Sequence, residues 1–403
     1  MKSLWTILPL ALLTAIGLLA TDLYLPAVPS LPDQLGGSIA GAQATLAVFS
    51  AALALSQLVW GPAADHFGSR RTLVFAVLLQ IAAGVVCASA PSMTTLIAAR
   101  VAQGFGVGAA MVVVPTLIRQ RFADHRAVRA LAWLGIIESV VPGLAPVLGA
   151  ALLLVADWRA TFWVIVALSV LVMPVALRVL PADPPARAHD APRGGYGRLL
   201  RSPTYLGYAL GHALCFAALL AFVASAPQLV ELWLHEGPST FALLQACGVG
   251  AFIVTSSRSG RWSDRHGLDR VIALGAALQV VAAAWFMVLA YADWRSTAQV
   301  IGAWMLFCGS LGLRGPGSMA RALAADPASA GRAAGLLMFF GLGGAALATQ
   351  AVAPFLALGM KPLAWMCTGF TLASALVILA GIAARRRSAP DATRGALAEN
   401  GPR

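Results

Sequence analysis

The chain has 403 residues, 59% of them apolar and 11% charged, whereas a soluble globular domain carries roughly 25% charged residues. That balance excludes a string of soluble domains, which would lack the polar surface to stay in water, and it excludes intrinsic disorder, which needs low hydrophobicity and high charge. The net charge of +12 rests almost wholly on arginines that fall in small groups between apolar stretches, with Lys2 and Lys361 the only lysines; nucleic-acid binding, which gathers its cations on one face or segment, is not expected.

A membrane-spanning helix needs about 20 mostly apolar residues. Taken in chain order, the stretches that qualify are 5–26, 41–62, 72–90, 95–118, 130–153 and 159–180, then 204–229, 239–257, 271–291, 297–319, 333–357 and 362–384. The first run passes through Asp22 without a small-residue cleavage site, so a cleaved leader is not expected. Between the sixth and seventh stretches lies the proline- and arginine-rich segment 181–203, an exposed linker. The expected organisation is therefore an all-α membrane protein with twelve transmembrane helices. An N-terminal six-helix half covers 1–180, a linker 181–203 and a C-terminal six-helix half 204–384, and 385–403 form a disordered tail.

The arginines fix the expected orientation. With both termini cytoplasmic, alternate loops and tails place 23 basic residues on the cytoplasmic side and three, Arg159, Arg295 and Lys361, on the other, with Arg100 and Arg314 inside spans. That asymmetry is what the positive-inside rule requires. The five cysteines, Cys87, Cys215, Cys247, Cys308 and Cys367, sit singly in apolar stretches, with no CxxC pair and no metal-ligand spacing to a histidine. Packing is their expected role, and neither metal nor cofactor is expected.

An internal repeat marks the halves as duplicates. Gly61-Pro-Ala-Ala-Asp65-His-Phe-Gly68-Ser-Arg70-Arg71 follows the second span, and Gly260-Arg-Trp-Ser-Asp264-Arg265-His-Gly267-Leu-Asp-Arg270 follows the eighth. Gly61, Asp65, Gly68 and Arg71 each recur 199 residues later. The first copy resembles the loop signature of the major facilitator superfamily, with His66 where arginine is usual and Ser69 in place of the first arginine of the closing pair. Arg100, Gln103 and Gly104 resemble the fourth-span signature of its proton-coupled drug exporters, and the Gly/Pro-rich run through Pro142, Gly143, Pro146 and Gly149 resembles its fifth-span antiporter signature. The string Thr21-Asp22-Leu23-Tyr24-Leu25-Pro26 is similar to that of the bicyclomycin/chloramphenicol-resistance exporters, the Bcr/CflA branch.

The resemblance implies the major facilitator fold and alternating access, with Gly61, Asp65, Gly68, Arg70 and Arg71, and Asp264 and Arg265 in the second copy, as a conformational latch at the cytoplasmic side. It implies Arg100 as a proton-relay arginine tuning Asp22. Pro142, Gly143, Pro146 and Gly149 would let the fifth helix bend and approach a partner closely.

Ionisable groups inside a membrane are functional hypotheses by default, because each costs roughly 2.5–3.5 kcal/mol at mid-helix. Asp22 is the first candidate for the proton carrier, with an ordinary helix-end aspartate as the competing reading. Glu138 is the second candidate, or would attract cationic substrates, or would be a structural partner for Arg314 or Arg100. Arg314 would hold a carboxylate or an anionic substrate group; His212 would titrate near neutral pH or simply pack. Tyr24 and Trp133, neighbours of these charges, would line the substrate site. The expected function is proton-coupled efflux of drug-like small molecules by a monomer in a bacterial inner membrane. The alternative is a carrier for one sugar, amino acid or organic acid. No phosphate-binding GxxxxGK[ST] loop is present and no two histidines lie within one helical turn, so neither an ATP motor nor an enzyme is expected.

Overall fold

The computed structural model describes residues 2–121, 134, 140–180, 196–325 and 330–388, the side chains of 2–7, 65, 119–121, 330, 331, 387 and 388 excepted. The first half contains α1 (Lys2–Asp22), α2 (Ile39–Phe67), α3 (Ser69–Ala88), α4 (Met93–Arg121), α5 (Val140–Leu152) and α6 (Arg159–Val179). The second contains α7 (Pro203–Leu229), α8 (Pro238–His266), α9 (Leu268–Tyr291), α10 (Thr297–Ala324), α11 (Ala330–Val352) and α12 (Lys361–Ser388). Among the described residues, ten helices are long and apolar enough to cross a membrane. Outside those ten, α5 is shorter, and α10 is long but carries Arg314 and several buried glycines and serines.

Several boundaries differ from the hydropathy reading, each for a physical reason. α2 and α8 run 29 residues each, about 43 Å at 1.5 Å per residue, which exceeds a hydrocarbon core of about 30 Å. They therefore continue through Gly61–Phe67 and Gly260–His266, so these signature segments are closing helical turns and not loops. The chain reverses at Gly68 (φ 92°) and Gly267 (φ 86°), left-handed conformations that favour glycine, with their N–H groups donating to Ala64 O and Ser263 O. α1 stops at Asp22, and Pro26 and Pro29 lead the chain into a 3-10 turn over Leu25–Ser30. At the other terminus, α12 extends past 384 to Ser388, and only 389–403 of the expected tail fall outside the described residues. Within the expected linker, Tyr196–Leu200 is helical and Leu199 is buried in the second half; 181–195 lie outside the described residues.

The two halves pack alike. α2 lies on α4, and α3 on both α4 and α6, just as α8 lies on α10, and α9 on both α10 and α12; α1 pairs with α6 as α7 does with α12. Between halves, α2 runs against α11, and Gly143 of α5 brings its helix to Val249 of α8, where a Cβ would stand 3.0 Å from a valine methyl.

The cores show where the halves join. Around the Gly68 and Gly267 turns each half has its own apolar core, Leu10 to Leu180 in one and Leu199 to Ile382 in the other. At the opposite end a single core spans both, uniting Tyr24–Leu31, Leu46, Trp158 and Phe162 with Phe222, Trp233, Phe286, Trp304 and Leu363. Among the described residues the molecule is thus sealed at one end and divided into separate cores at the other.

Candidate functional site

Among the described residues, each half buries one arginine completely. Arg100, on α4, donates from Nη1 to Ala20 O (2.8 Å) and Gln103 Oε1 (2.7 Å), and from Nε to Thr45 O (3.3 Å). Its guanidinium lies 4.0 Å from the Phe49 ring centroid and 5.1 Å from that of Tyr24, an arrangement in which aromatic faces replace part of the lost hydration. Nη2 has no hydrogen-bond partner among the described residues. The neighbouring Gly104 is needed because a Cβ there would run into Phe49 O, so the signature's glycine lets α4 press against α2.

Asp22 ends α1 two residues beyond the carbonyl that Arg100 holds, and it is half-buried. Its carboxylate makes no ion pair or hydrogen bond among the described residues; Arg100 is engaged by carbonyls and an amide instead. Tyr24 is buried, with its hydroxyl 3.0 Å from Thr45 Oγ1 and its ring 4.9 Å from Phe162. In this conformation it braces the Arg100 surroundings from inside the shared core.

Arg314, on α10, reaches three other helices. Nη1 donates to Gln279 Oε1 of α9 (2.9 Å), and Nη2 to Gly211 O of α7 (2.9 Å) and Ser374 Oγ of α12 (2.8 Å). Nε is without a partner among the described residues. Gln279 stands 199 residues after Gln80, the spacing of the repeated signature. In the first half Gln80 Nε2 donates directly to Ser169 Oγ of α6 (3.3 Å). In the second half the corresponding amide, Gln279, instead accepts from Arg314, whose guanidinium also reaches the Ser374 hydroxyl of α12. His212, one position after the carbonyl that Arg314 binds, stacks on Phe216 at 6.1 Å, and its Nδ1 has no partner among the described residues. Sequence reading placed Arg314 inside a span, and the structure puts it at the centre of a four-helix junction.

Two polar contacts at opposite ends were not singled out from sequence. At the sealed end Gln43 of α2 donates from Nε2 to Ala224 O (3.1 Å) and Gln228 Oε1 (2.7 Å) of α7, joining the halves. At the divided end Asp269, the first-turn acid of α9, accepts from Tyr208 (2.9 Å), Arg321 (3.1 Å) and Arg385, clasping α7, α10 and α12 to α9. The expected latch residues Asp264 and Arg265 are exposed, with no ion pair among the described residues. Arg70 donates to Leu180 O (3.3 Å); the Asp65 side chain, Trp133 and Glu138 lie outside what is described. Of the fifth-helix signature, Gly143 faces α8, and Gly149 is pressed against Leu23 O, where a Cβ would not fit. Among the described residues, no group of three His, Cys, Asp or Glu could hold a metal ion.

Residues 10–349 match the profile of the Major Facilitator Superfamily. The chain is 30% identical over 260 residues to "Uncharacterized MFS-type transporter YdgK" of Bacillus subtilis, covering 63% of this chain and 65% of that protein. It is 29% identical over 237 residues to "Multidrug resistance protein MdtL" of Escherichia coli, covering 58% and 60%. Both matches span less than two thirds of the relative's own length. Among solved structures, the D-xylose-proton symporter superposes with a TM-score of 0.75 at 15% identity over 93% of this chain and 97% of that one. An auto-inhibited POT family peptide transporter gives 0.73 at 17% identity over 96% and 97%. These likenesses carry the fold alone. With the family match, the duplicated helical halves and the apolar helices, the chain belongs to the major facilitator superfamily and is a multi-pass membrane protein.

Proposed function

We propose that the chain exports drug-like small molecules in exchange for protons by alternating access. The observation that carries the reading is Asp22, an intramembrane carboxylate with no cation paired to it among the described residues, although the buried Arg100 holds a carbonyl two residues away. A carboxylate bonded to arginine is held ionised, whereas Asp22 is placed to gain and lose a proton. Arg100 holds Ala20 O two residues away, so protonation and motion of the α1 exit are mechanically linked. Glu138 is the second candidate carrier. The similarity to a multidrug resistance protein supports the substrate class, and the first-span string supports the Bcr/CflA branch.

In this reading twelve helices span a bacterial inner membrane, with both termini and the linker on the cytoplasmic side. The sealed Gln43–Gln228 end then faces the periplasm and the divided end the cytoplasm, an inward-facing arrangement. Drug would bind between the halves, in reach of the Asp22 and His212–Arg314 regions, as the proton leaves inward. The halves would then rock to open the other end. In everted vesicles, an imposed pH gradient, acid inside, should drive accumulation of a cationic or neutral antibiotic that an uncoupler collapses. Accumulation indifferent to the gradient would remove proton coupling, and absence of transport for every antibiotic tried would favour the single-metabolite carrier.

A further inference from the structure

Three basic residues occupy the sealed end, and their surroundings differ. Arg159 pairs with Asp157 at 3.5 Å and covers the Trp158 ring at 4.4 Å. Arg295 pairs with Asp293 at 3.0 Å; that bond, with one from Trp233, holds the Asp293 carboxyl below its ordinary range. Lys361 has no carboxylate within ion-pair distance among the described residues. Its ammonium lies 5.4 Å from the Tyr291 ring centroid, and Tyr291 also accepts from Trp365 Nε1 at 3.1 Å. Trp, Tyr and Lys together are side chains that settle at a membrane–water interface.

Lys361 stands at the mouth of a groove of about 580 Å³ between α11 and α12. Ala348, Val352 and Met366 form its buried floor, and Phe355 (53% exposed) and Trp365 (57% exposed) its rim. From Lys361 to Phe370, which lines the far part, nine residues of helix cover about 13 Å, the length of a good part of an acyl chain. The lining is apolar throughout except for the lysine, so the groove offers one positive point at the interface and hydrocarbon below it.

We propose that this groove is a binding site for a phospholipid, its phosphodiester on Lys361 and one acyl chain along α11 and α12. The occupant is fixed by complementarity: an apolar tail alone would leave unused a lysine that forms no direct ion pair among the described residues and shares only a longer-range attraction with Asp293, and a free phosphate would leave the groove empty.

The test is native mass spectrometry of the delipidated, purified transporter. It is titrated with phosphatidylglycerol, with phosphatidylethanolamine and with a diacylglycerol of the same chains. The wild type should retain one more molecule of each phospholipid than of the diacylglycerol. Lys361→Gln should weaken that retention about fivefold, the effect of one interfacial cation. Ala351→Trp, which fills the groove and leaves the lysine in place, should abolish it. Equal retention of phospholipid and diacylglycerol by the wild type, or unchanged retention in Lys361→Gln, would overturn the proposal. Lys361 is exposed, so its variant tests the site even if the tryptophan variant does not fold.

Discussion

Arg314 and Arg100 bring full charges into the protein interior without a carboxylate among their described partners. Burying an ion costs several kcal/mol unless its hydrogen-bonding groups are met. Here carbonyls, amides and one hydroxyl meet most of them. Such a cation binds helices together and is costly to truncate partially. Arg314→Ala should therefore lose about 3 kcal/mol, leaving Gln279, Gly211 O and Ser374 short of a donor and a cavity behind. Arg314→Met, which fills the volume and removes the charge, should lose clearly less. Thermal unfolding in detergent orders the two, and equal losses would mean that the guanidinium network contributes no more than packing. From sequence, Arg100 and Asp22 were legible because a charge in an apolar run stands out. Asp269 was not, because it reads as one more polar residue after a glycine turn, and its partners lie 52, 61 and 116 residues away. The pairing of Gln43 with Gln228 was hidden for the same reason, a separation of 185 residues.

Helices in this fold meet through small residues, and some of those contacts have no slack. At Gly104 a side chain would collide with the α2 backbone, whereas at Gly343 in α11 a Cβ would meet nothing within 4 Å. Gly104→Ala should cost at least ~1 kcal/mol by forcing α4 away from α2 and disturbing the Arg100 contacts. Gly343→Ala should be neutral or gain about 0.5 kcal/mol by favouring helix. Melting curves of the pair check this, and a harmless Gly104→Ala would refute the tight α2–α4 contact. The existence and order of the helices were legible because spanning segments must be apolar for about 20 residues. Their ends were not: once a helix leaves the hydrocarbon its residues become polar, so Gly61–Phe67 looked like a loop while the backbone was still helical. Conversely, Pro26 and Pro29 ended α1 earlier than its hydropathy indicated.

Across the described residues, one shared core joins the halves at the Gln43–Gln228 end and two separate cores stand at the Gly68–Gly267 end, which fits the inward-facing arrangement of the proposed transport cycle. If the halves rock, the Gln43–Gln228 contact must break in every cycle. A thiol-specific crosslink between Gln43→Cys and Gln228→Cys, in a background lacking the native cysteines, should stop transport, and a cleavable linker should restore it on cleavage. Continued transport by the crosslinked protein would contradict the gate. The duplication behind this geometry was legible in the 199-residue spacing of the signatures, and the structure extends it to Gln80 and Gln279. Which end is sealed was not legible, since each half contains the same kinds of contact.

The central claim, that a proton on Asp22 is exchanged for substrate, is tested most directly by proton release from purified protein in weakly buffered detergent solution. A panel of cationic and neutral antibiotics is added to the wild type, Asp22→Asn and Glu138→Gln. The account predicts release on drug addition in the wild type and none in Asp22→Asn. Undiminished release from Asp22→Asn, with loss in Glu138→Gln, would contradict it and place the carrier in the fifth span.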